Sequence, residues 1–427
     1  MMESPLGAMA DFLALLRTNR NYRYTWLAQV VSEAGDYFNN IAVFSLALET
    51  TGSGLVVSGV MLARAIPAVA AGPVAGVALD RFDRRRIMIA SDLIRAAVAA
   101  AFVLAVGQAR PGLLYALSAL LMFASPFFSS GRAAILPDIA TPGQLHTANS
   151  LTQTTQWATL TVGTLAAGYA TAWLGYRGAF LFNALSFLFS AWAIAKLRLP
   201  RGGSQARGGP LRPWAEYRDG LRYMRSVPLI GGIAMVSVGW ATGGGAAQIL
   251  FALFGEQVFH RGPAGIGTIW GMAGVGLLLG GAVGHWVGRR TGFSGYKRTI
   301  SAAYLSHGLT YVLFSQMENY AAALAMILLS RVGMAVSSVL NQYQLLRHTP
   351  DEFRGRIFST LESLRWAVMI GSMAAAGIAS QYFSPRAIGL VAGVLSSLTA
   401  VWWTWADLTG RLPEPAERQP EDAGAPG

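Results

Sequence analysis

Seven polar side chains fall inside stretches of sequence that are otherwise apolar. Glu33, Asp36 and Asn40 are spaced three and four apart, so a helix presents them on one face. Arg64, Arg331, Glu362 and Arg365 interrupt other apolar runs in the same way. An ionised group deep in a bilayer costs about 2.5–3.5 kcal/mol on insertion scales, so each invites a functional reading. Burial and a neighbouring arginine act in opposite directions on a carboxylate and can tune it to exchange a proton near neutral pH. On that reading Asp36 or Glu33 titrates in a central cavity, and protonation is coupled to release of a substrate. By rise per residue Arg64 lies at the depth of Asp36, roughly 14 Å from the outer end of its helix. The competing reading therefore makes Asp36–Arg64 a permanent structural pair. Glu362 and Arg365, three residues apart, have the spacing of a local pair, and so do Asp92 and Arg95. His307 could titrate, although a lone histidine in an apolar helix reads more simply as packed.

These residues need helices to position them, and the composition supplies membrane-spanning ones. Of 427 residues 53% are hydrophobic and only 13% charged, with 49 glycines. Soluble domains average about 25% charged residues. Half that charge cannot cover a water-exposed surface, whereas lipid accepts apolar side chains and small residues let its helices pack closely. Read as stretches of about 20 apolar residues, the spans fall near 24–49, 55–78, 87–108, 112–134, 145–173 and 178–197. They resume near 227–254, 264–287, 298–316, 320–346, 355–381 and 386–408. The chain thus divides into an N-terminal segment 1–23, a bundle 24–197, a linker 198–226, a bundle 227–408 and a tail 409–427. Residues 8–16 read as a short helix on the inner membrane surface. The linker carries a short amphipathic helix near Trp214–Met224, and the Pro- and Glu-rich tail reads as disordered.

The net charge of +12 has a topological cause. With the N-terminus inside, the outer loops hold only Arg110, Arg177, Arg261 and Arg386, and most other Lys and Arg residues lie in inner segments. That is the positive-inside pattern, so no nucleic-acid partner is implied, and both termini are placed in the cytoplasm. There is no cysteine, no G-x-x-x-x-G-K-[ST] loop, no H-E-x-x-H and no G-x-S-x-G. These absences exclude a cysteine nucleophile and leave no motif for a nucleotide-driven engine, a metal centre or an enzyme. No cofactor or metal is expected. The tryptophans Trp402, Trp403 and Trp405 read as an interfacial belt, and Tyr37, Phe38 and Phe44 as candidates to line a cavity.

An internal repeat ties the halves together. At an offset of 208 residues Gly72, Gly76 and Arg81 fall on Gly280, Gly284 and Arg289, and Thr141-Pro142 falls on Thr349-Pro350. One shift that registers two separate loops argues for duplicated six-helix halves.

The loop after the second span reads Gly76-Val-Ala-Leu-Asp80-Arg81-Phe-Asp83-Arg84-Arg85-Arg86. It resembles the G-x-x-x-D-R-x-G-R-R signature of the major facilitator superfamily, in the same place, with Asp83 where glycine is commonest. Gly76 is expected to permit close packing, and Asp80, Arg81, Arg84 and Arg85 to form a polar cluster. In that family such a cluster latches the halves on the cytoplasmic side. Arg132, near the inner end of the fourth span, is expected to join Asp80 there. The second copy, Gly284 to Arg290, lacks the acid, so the latch is expected to be asymmetric. Gln29 to Asp36, Thr51-Gly-Ser-Gly, Leu145…Ala148-Asn149-Ser150 and Pro350 to Arg356 are similar to the branch holding macrolide-efflux proteins and the enterobactin exporter.

The resemblance implies an all-α integral membrane protein with twelve transmembrane helices in two six-helix pseudo-symmetric halves, parallel repeats with a substrate site between them. It implies a monomeric, multi-pass transporter of the inner membrane. The expected activity is proton-coupled export of amphipathic, drug- or macrolide-like small molecules by alternating access, driven by a proton or other ion gradient. A dedicated exporter or flippase of a siderophore or lysophospholipid is the alternative, with a non-transporting receptor or assembly protein as the second. The cavity residues are then Glu33, Asp36, Asn40, Arg64, Arg331, Glu362 and Arg365. The cytoplasmic gate residues are Gly76, Asp80, Arg81, Arg84, Arg85 and Arg132.

Overall fold

The computed structural model describes residues 5–108, 110–198 and 213–415, and among these there is no strand. In the first part of the chain the helices are α1 (Pro5–Thr18), α2 (Arg20–Thr51), α3 (Gly54–Arg81), α4 (Arg84–Ala101), α5 (Pro111–Ile139) and α6 (Pro142–Ala195). They are followed by α7 (Pro213–Ser226), α8 (Pro228–Leu253), α9 (Gly262–Gly288), α10 (Phe293–Gln316), α11 (Tyr320–His348), α12 (Asp351–Ala379) and α13 (Pro385–Leu408). Each expected apolar span falls on one of them, although 87–108 runs past the end of α4 into a 3-10 turn at Phe102–Ala105. Spans 145–173 and 178–197 are two arms of α6 on either side of Gly175, whose φ of 72° only glycine adopts freely.

Eight helices among the described residues, α6 counted once, are long and apolar enough to cross a membrane. The helices α2, α10 and α12 are comparably long, at 32, 24 and 29 residues, and carry more polar side chains. In lipid each segment must satisfy its own backbone hydrogen bonds, which is why apolar runs of this length become helices. Their ends are set locally. The Asn19, Asp83 and Asn319 side chains accept the backbone N–H three residues on, capping α2, α4 and α11. Gly52, with φ of 63°, closes the C-terminus of α2. Large apolar side chains such as Ile66, Leu93, Leu185 and Leu398 are about half exposed or more. Such a surface is an aggregation liability in water and a match for acyl chains.

The chain forms two compact units. The first holds the described residues up to Arg198, together with Gln248–Val275 and Met373–Pro385. In it α2 runs along α6, α3 along α5, and α4 packs on both α5 and α6. The first half of α9 crosses the first arm of α6 at backbone contact. A Cβ on Gly267 would lie 2.5 Å from the Thr164 carbonyl and 2.6 Å from Cα of Gly168. Ser58 on α3 donates to the carbonyl of Met373 at 2.9 Å.

The second unit holds residues from α7 to Ala247, then Gly276–Ser372, and the chain from Arg386 on. Its core joins Leu229, Ile233 and Val236 of α8 to Tyr296 and Ile300 of α10, Leu340 of α11 and Trp403 of α13. Lys297 and Asp407 pair at 2.5 Å beside it.

Several expectations are corrected here. Trp403 is no interfacial residue; it is fully buried and its Nε1 donates to the Lys297 carbonyl at 3.0 Å. Leu412 belongs to the same core, so the start of the tail is ordered, while residues 416–427 lie outside the described residues. So do residues 199–212, the glycine-rich part of the linker. Gly76 is not a packing glycine, because a Cβ there would meet open space. Its repeat partner Gly284 does pack, with Val336 Cα 3.1 Å from such an atom.

Candidate functional site

Helix α2 carries the acids, and glycine brings that helix close enough for them to be partly buried. A Cβ on Gly35 would sit 2.0 Å from Ser186 Oγ and 2.6 Å from Asn183 Oδ1 on the second arm of α6. This close approach sets Glu33, Asp36, Asn39 and Asn40 among neighbouring helices.

Glu33 is fully engaged. Arg132 of α5 pairs with its Oε1 at 3.2 Å, and Thr159 of α6 donates to its Oε2 at 2.8 Å. The expectation that Arg132 joins Asp80 is therefore corrected. Arg132 points along its own helix toward α2, and an acid there competes better than one on an exposed turn.

Asp36 is held more loosely. Its Oδ2 lies 4.0 Å from Nη1 of Arg95 on α4, its Oδ1 has no hydrogen-bond partner, and its side chain is 25% exposed. The Asp36–Arg64 pair does not form. Arg64 of α3 instead binds the amide oxygens of Asn39, at 3.3 Å, and Asn40. Equal depth put Arg64 and Asp36 on one level, but Asn39 and Asn40 face α3 while Asp36 faces α4.

Below the Glu33–Arg132 pair, α2, α5 and the first arm of α6 enclose a cavity of about 550 Å³. Trp26, Gln29, Arg132, Asn149, Gln153 and Gln156 are among its walls. Apart from Arg132, sequence reasoning missed this cavity. Its signal is the run Asn149, Thr152, Gln153 and Gln156, spaced three, four and seven residues from the first, an amide and hydroxyl stripe on one helical face. Phe38 and Phe44 do not line it; both are buried, and Phe38 packs on Phe182 with ring centroids 4.3 Å apart.

In the second unit Arg331 is buried with His307 and Tyr311 around a small void lined also by Gly243, Gly244 and Ser396. Hydrogen bonding fixes the histidine. Trp240 Nε1 can only donate, so His307 Nε2, 3.1 Å away, accepts. The imidazole proton is then on Nδ1, which faces the Ser330 carbonyl at 2.9 Å. A neutral ring with both nitrogens satisfied ties α8, α10 and α11 together. Glu362 and Arg365 pair at 2.5 Å on α12, and Trp366 donates to the same carboxylate at 2.8 Å. Both members of that pair are exposed, at 49% and 40% of their side chains.

The arginines in the first turn of α4 close off helix ends in the first unit. Arg84 pairs with Asp138 at 3.1 Å and donates to the Ala134 carbonyl at 2.9 Å. Arg85 donates to the carbonyls of Ile194, at 3.3 Å, and Ala195, where the last turn of α6 gathers partial negative charge. Asp83 takes the place of glycine because it caps α4, accepting from Arg86 N at 2.9 Å. Asp80 and Arg81 lie on the exposed last turn of α3. Among the described residues no three His, Cys, Asp or Glu side chains are grouped to hold a metal.

Comparison with known proteins places these features. The sequence profile of the Major Facilitator Superfamily matches residues 25–366. An uncharacterized MFS-type transporter of Bacillus subtilis, YfiS, is 26% identical over 89% of this chain and 92% of its own. The multidrug efflux pump Tap of Mycolicibacterium fortuitum is 27% identical over 86% and 93%. The crystal structure of a bacterial homologue of the lysosomal transporter Spinster, inward-facing and unoccupied, superposes with a TM-score of 0.69. It is 14% identical and covers 93% of this chain and 99% of its own, a likeness of fold.

Proposed function

Because the chain belongs to the major facilitator superfamily, we propose that it is a proton-coupled exporter of small amphipathic molecules, with Asp36 as the carboxylate that exchanges the proton. The observation that carries this reading is the contrast between the two acids of α2. Glu33 is saturated by Arg132 and Thr159. Asp36, about as exposed as Glu33, has one oxygen without a partner and one at the limit of an ion pair, so bonding rather than exposure separates the two acids. A group must be reachable and incompletely bonded to gain and lose a proton in each cycle. Similarity to Tap, a multidrug efflux pump, supports the direction, efflux, and the range of substrates. The cavity between α2, α5 and α6 is then the N-terminal half's share of the substrate path. On this reading the halves 24–197 and 227–408 rock as a monomer in the inner membrane, with both termini in the cytoplasm.

The test is proton-linked transport in sealed vesicles. A pH-sensitive dye reports proton movement while lipophilic cations, macrolides and siderophores are added to wild type and to Asp36→Asn. Compounds that release protons from wild type and not from the variant support the assignment. An equal response of the two removes Asp36 from the coupling step.

A second reading rests on the cavity walls. Amides, hydroxyls and a single cation stand there beside Tyr22, Trp26, Leu136 and Leu145, a lining that suits a substrate with hydrogen-bonding groups as well as an apolar part. A dedicated exporter of one such compound, a siderophore or a lysophospholipid, would respond in this panel to that compound alone.

A further inference from the structure

The spacing of Asp92 and Arg95 predicts a local pair on α4, and the pair forms between Asp92 Oδ1 and Arg95 Nη2. Its surroundings make it more than a strut. The Arg95 guanidinium lies between two rings, 4.7 Å from the centroid of Phe128 on α5 and 4.3 Å from that of Phe187 on α6. That sandwich restricts its movement to the plane between the rings. One nitrogen is turned to Asp92, another reaches to within 4.0 Å of Asp36 on α2, and Nε has no hydrogen-bond partner. Asp92 is fully buried and its Oδ2 has no hydrogen bond of normal geometry. Two carboxylates from two helices thus face one cation, and the cation is in contact with only one of them.

We propose that Asp36, Asp92 and Arg95 form one proton-binding site in which Asp92 is a positioning residue: by holding Arg95 it keeps the guanidinium off Asp36. The proton arrives at and leaves from Asp36, the member that is exposed. When Asp36 is protonated, Arg95 rests on Asp92 alone; when Asp36 is ionised, the guanidinium is drawn toward it and the two acids share it. The remaining charged groups around Asp36 are engaged elsewhere: Arg64 of α3 by Asn39 and Asn40, and Glu33 of α2 by Arg132. The Tyr37 hydroxyl on α2 lies within electrostatic range of Asp36, and that of Ser190 on α6 lies beside Asp92. The link of this site to transport rests on the proton-coupled reading above, but the site itself can be tested without any substrate.

The test is an infrared titration of the purified protein in lipid, following the carbonyl-stretch band of protonated carboxyl groups as pH is lowered. The proton is the only ligand needed. Wild type should show a component that Asp36→Asn abolishes. In Asp92→Asn, Arg95 loses its competing partner and closes on Asp36, so the same component should titrate about one pH unit lower or more. Asp92→Glu, which keeps the competitor, should restore the wild-type midpoint. An Asp92→Asn midpoint equal to that of wild type reduces the pair to structural packing and overturns the proposal, as does a wild-type spectrum with no component that depends on Asp36. Should Asp92→Asn fail to fold, Phe187→Leu asks the same question. It keeps every charge and loosens the sandwich, so the midpoint should again move to lower pH, and an unmoved midpoint overturns the proposal. A failure of proton-linked transport with an intact titration would remove the coupling and leave the site.

Discussion

The contact most open to a quantitative test is the crossing of α2 and α6 at Gly35. Replacing Gly35 by alanine adds one carbon, which would lie 2.0 Å from Ser186 Oγ, 2.7 Å from Ser186 Cβ and 2.6 Å from Asn183 Oδ1. Carbon atoms meet comfortably at about 3.5–4.0 Å, so rotating Ser186 Oγ away leaves the Cβ clash, and the helices must separate by roughly 1 Å. Overpacking of this kind costs about 1–3 kcal/mol. Alanine's better helix propensity returns up to about 1 kcal/mol, so a net loss of about 1–2 kcal/mol is expected. For a folding unit of 150–250 residues that lowers Tm by roughly 2–8 °C. The assay is thermal unfolding in detergent, followed by size-exclusion chromatography of wild type, Gly35→Ala, Ser186→Gly and the double variant. Ser186→Gly alone should cost about 0.5–1 kcal/mol through helix propensity. In the double variant the Cβ and Oγ of residue 186 are gone, so the two losses should not add, and a coupling of at least about 1 kcal/mol should appear. Strictly additive losses, or a Gly35→Ala protein as stable as wild type, would refute the claim that this glycine sets the approach of the two helices.

Two further outcomes are expected. Arg132→Gln leaves Glu33 with Thr159 alone; since both side chains are partly exposed, at 12% and 22%, the loss should be about 1–3 kcal/mol, below that for a fully buried pair, and Glu33→Gln/Arg132→Gln should regain more than half of it in a double-variant cycle. Gly267→Val places side-chain carbon against the Thr164 carbonyl and the backbone of Gly168, atoms that cannot rotate aside. The chain has no native cysteine, so a pair at Leu165 and Gly271 should cross-link in the parent background and fail to do so with Gly267→Val.

The sequence by itself determined the helices and the residues that stand out on them. A bilayer makes each apolar run satisfy its own hydrogen bonds, so where the chain crosses is a local property and readable as such. The kink at Gly175 falls in the gap between two spans, and helical period alone puts Glu33, Asp36 and Asn40 on one side of α2, though each meets a different neighbouring helix. The membership of a family was legible because the loop at Asp80 is a contiguous motif.

Partners were decided only in three dimensions. Period fixes the direction in which a side chain leaves its own helix, but not which of several neighbouring helices stands there. So Asp36 faces Arg95, 4.0 Å away, rather than Arg64, Arg132 meets Glu33 rather than Asp80, and Trp403 turns into a core instead of an interface. The glycines divide in the same way. Gly35 and Gly267 are required by another backbone or side chain at van der Waals distance, whereas Gly76, in the most recognisable motif, faces open space. Close approach is a property of two helices at once, and no single segment of sequence contains it.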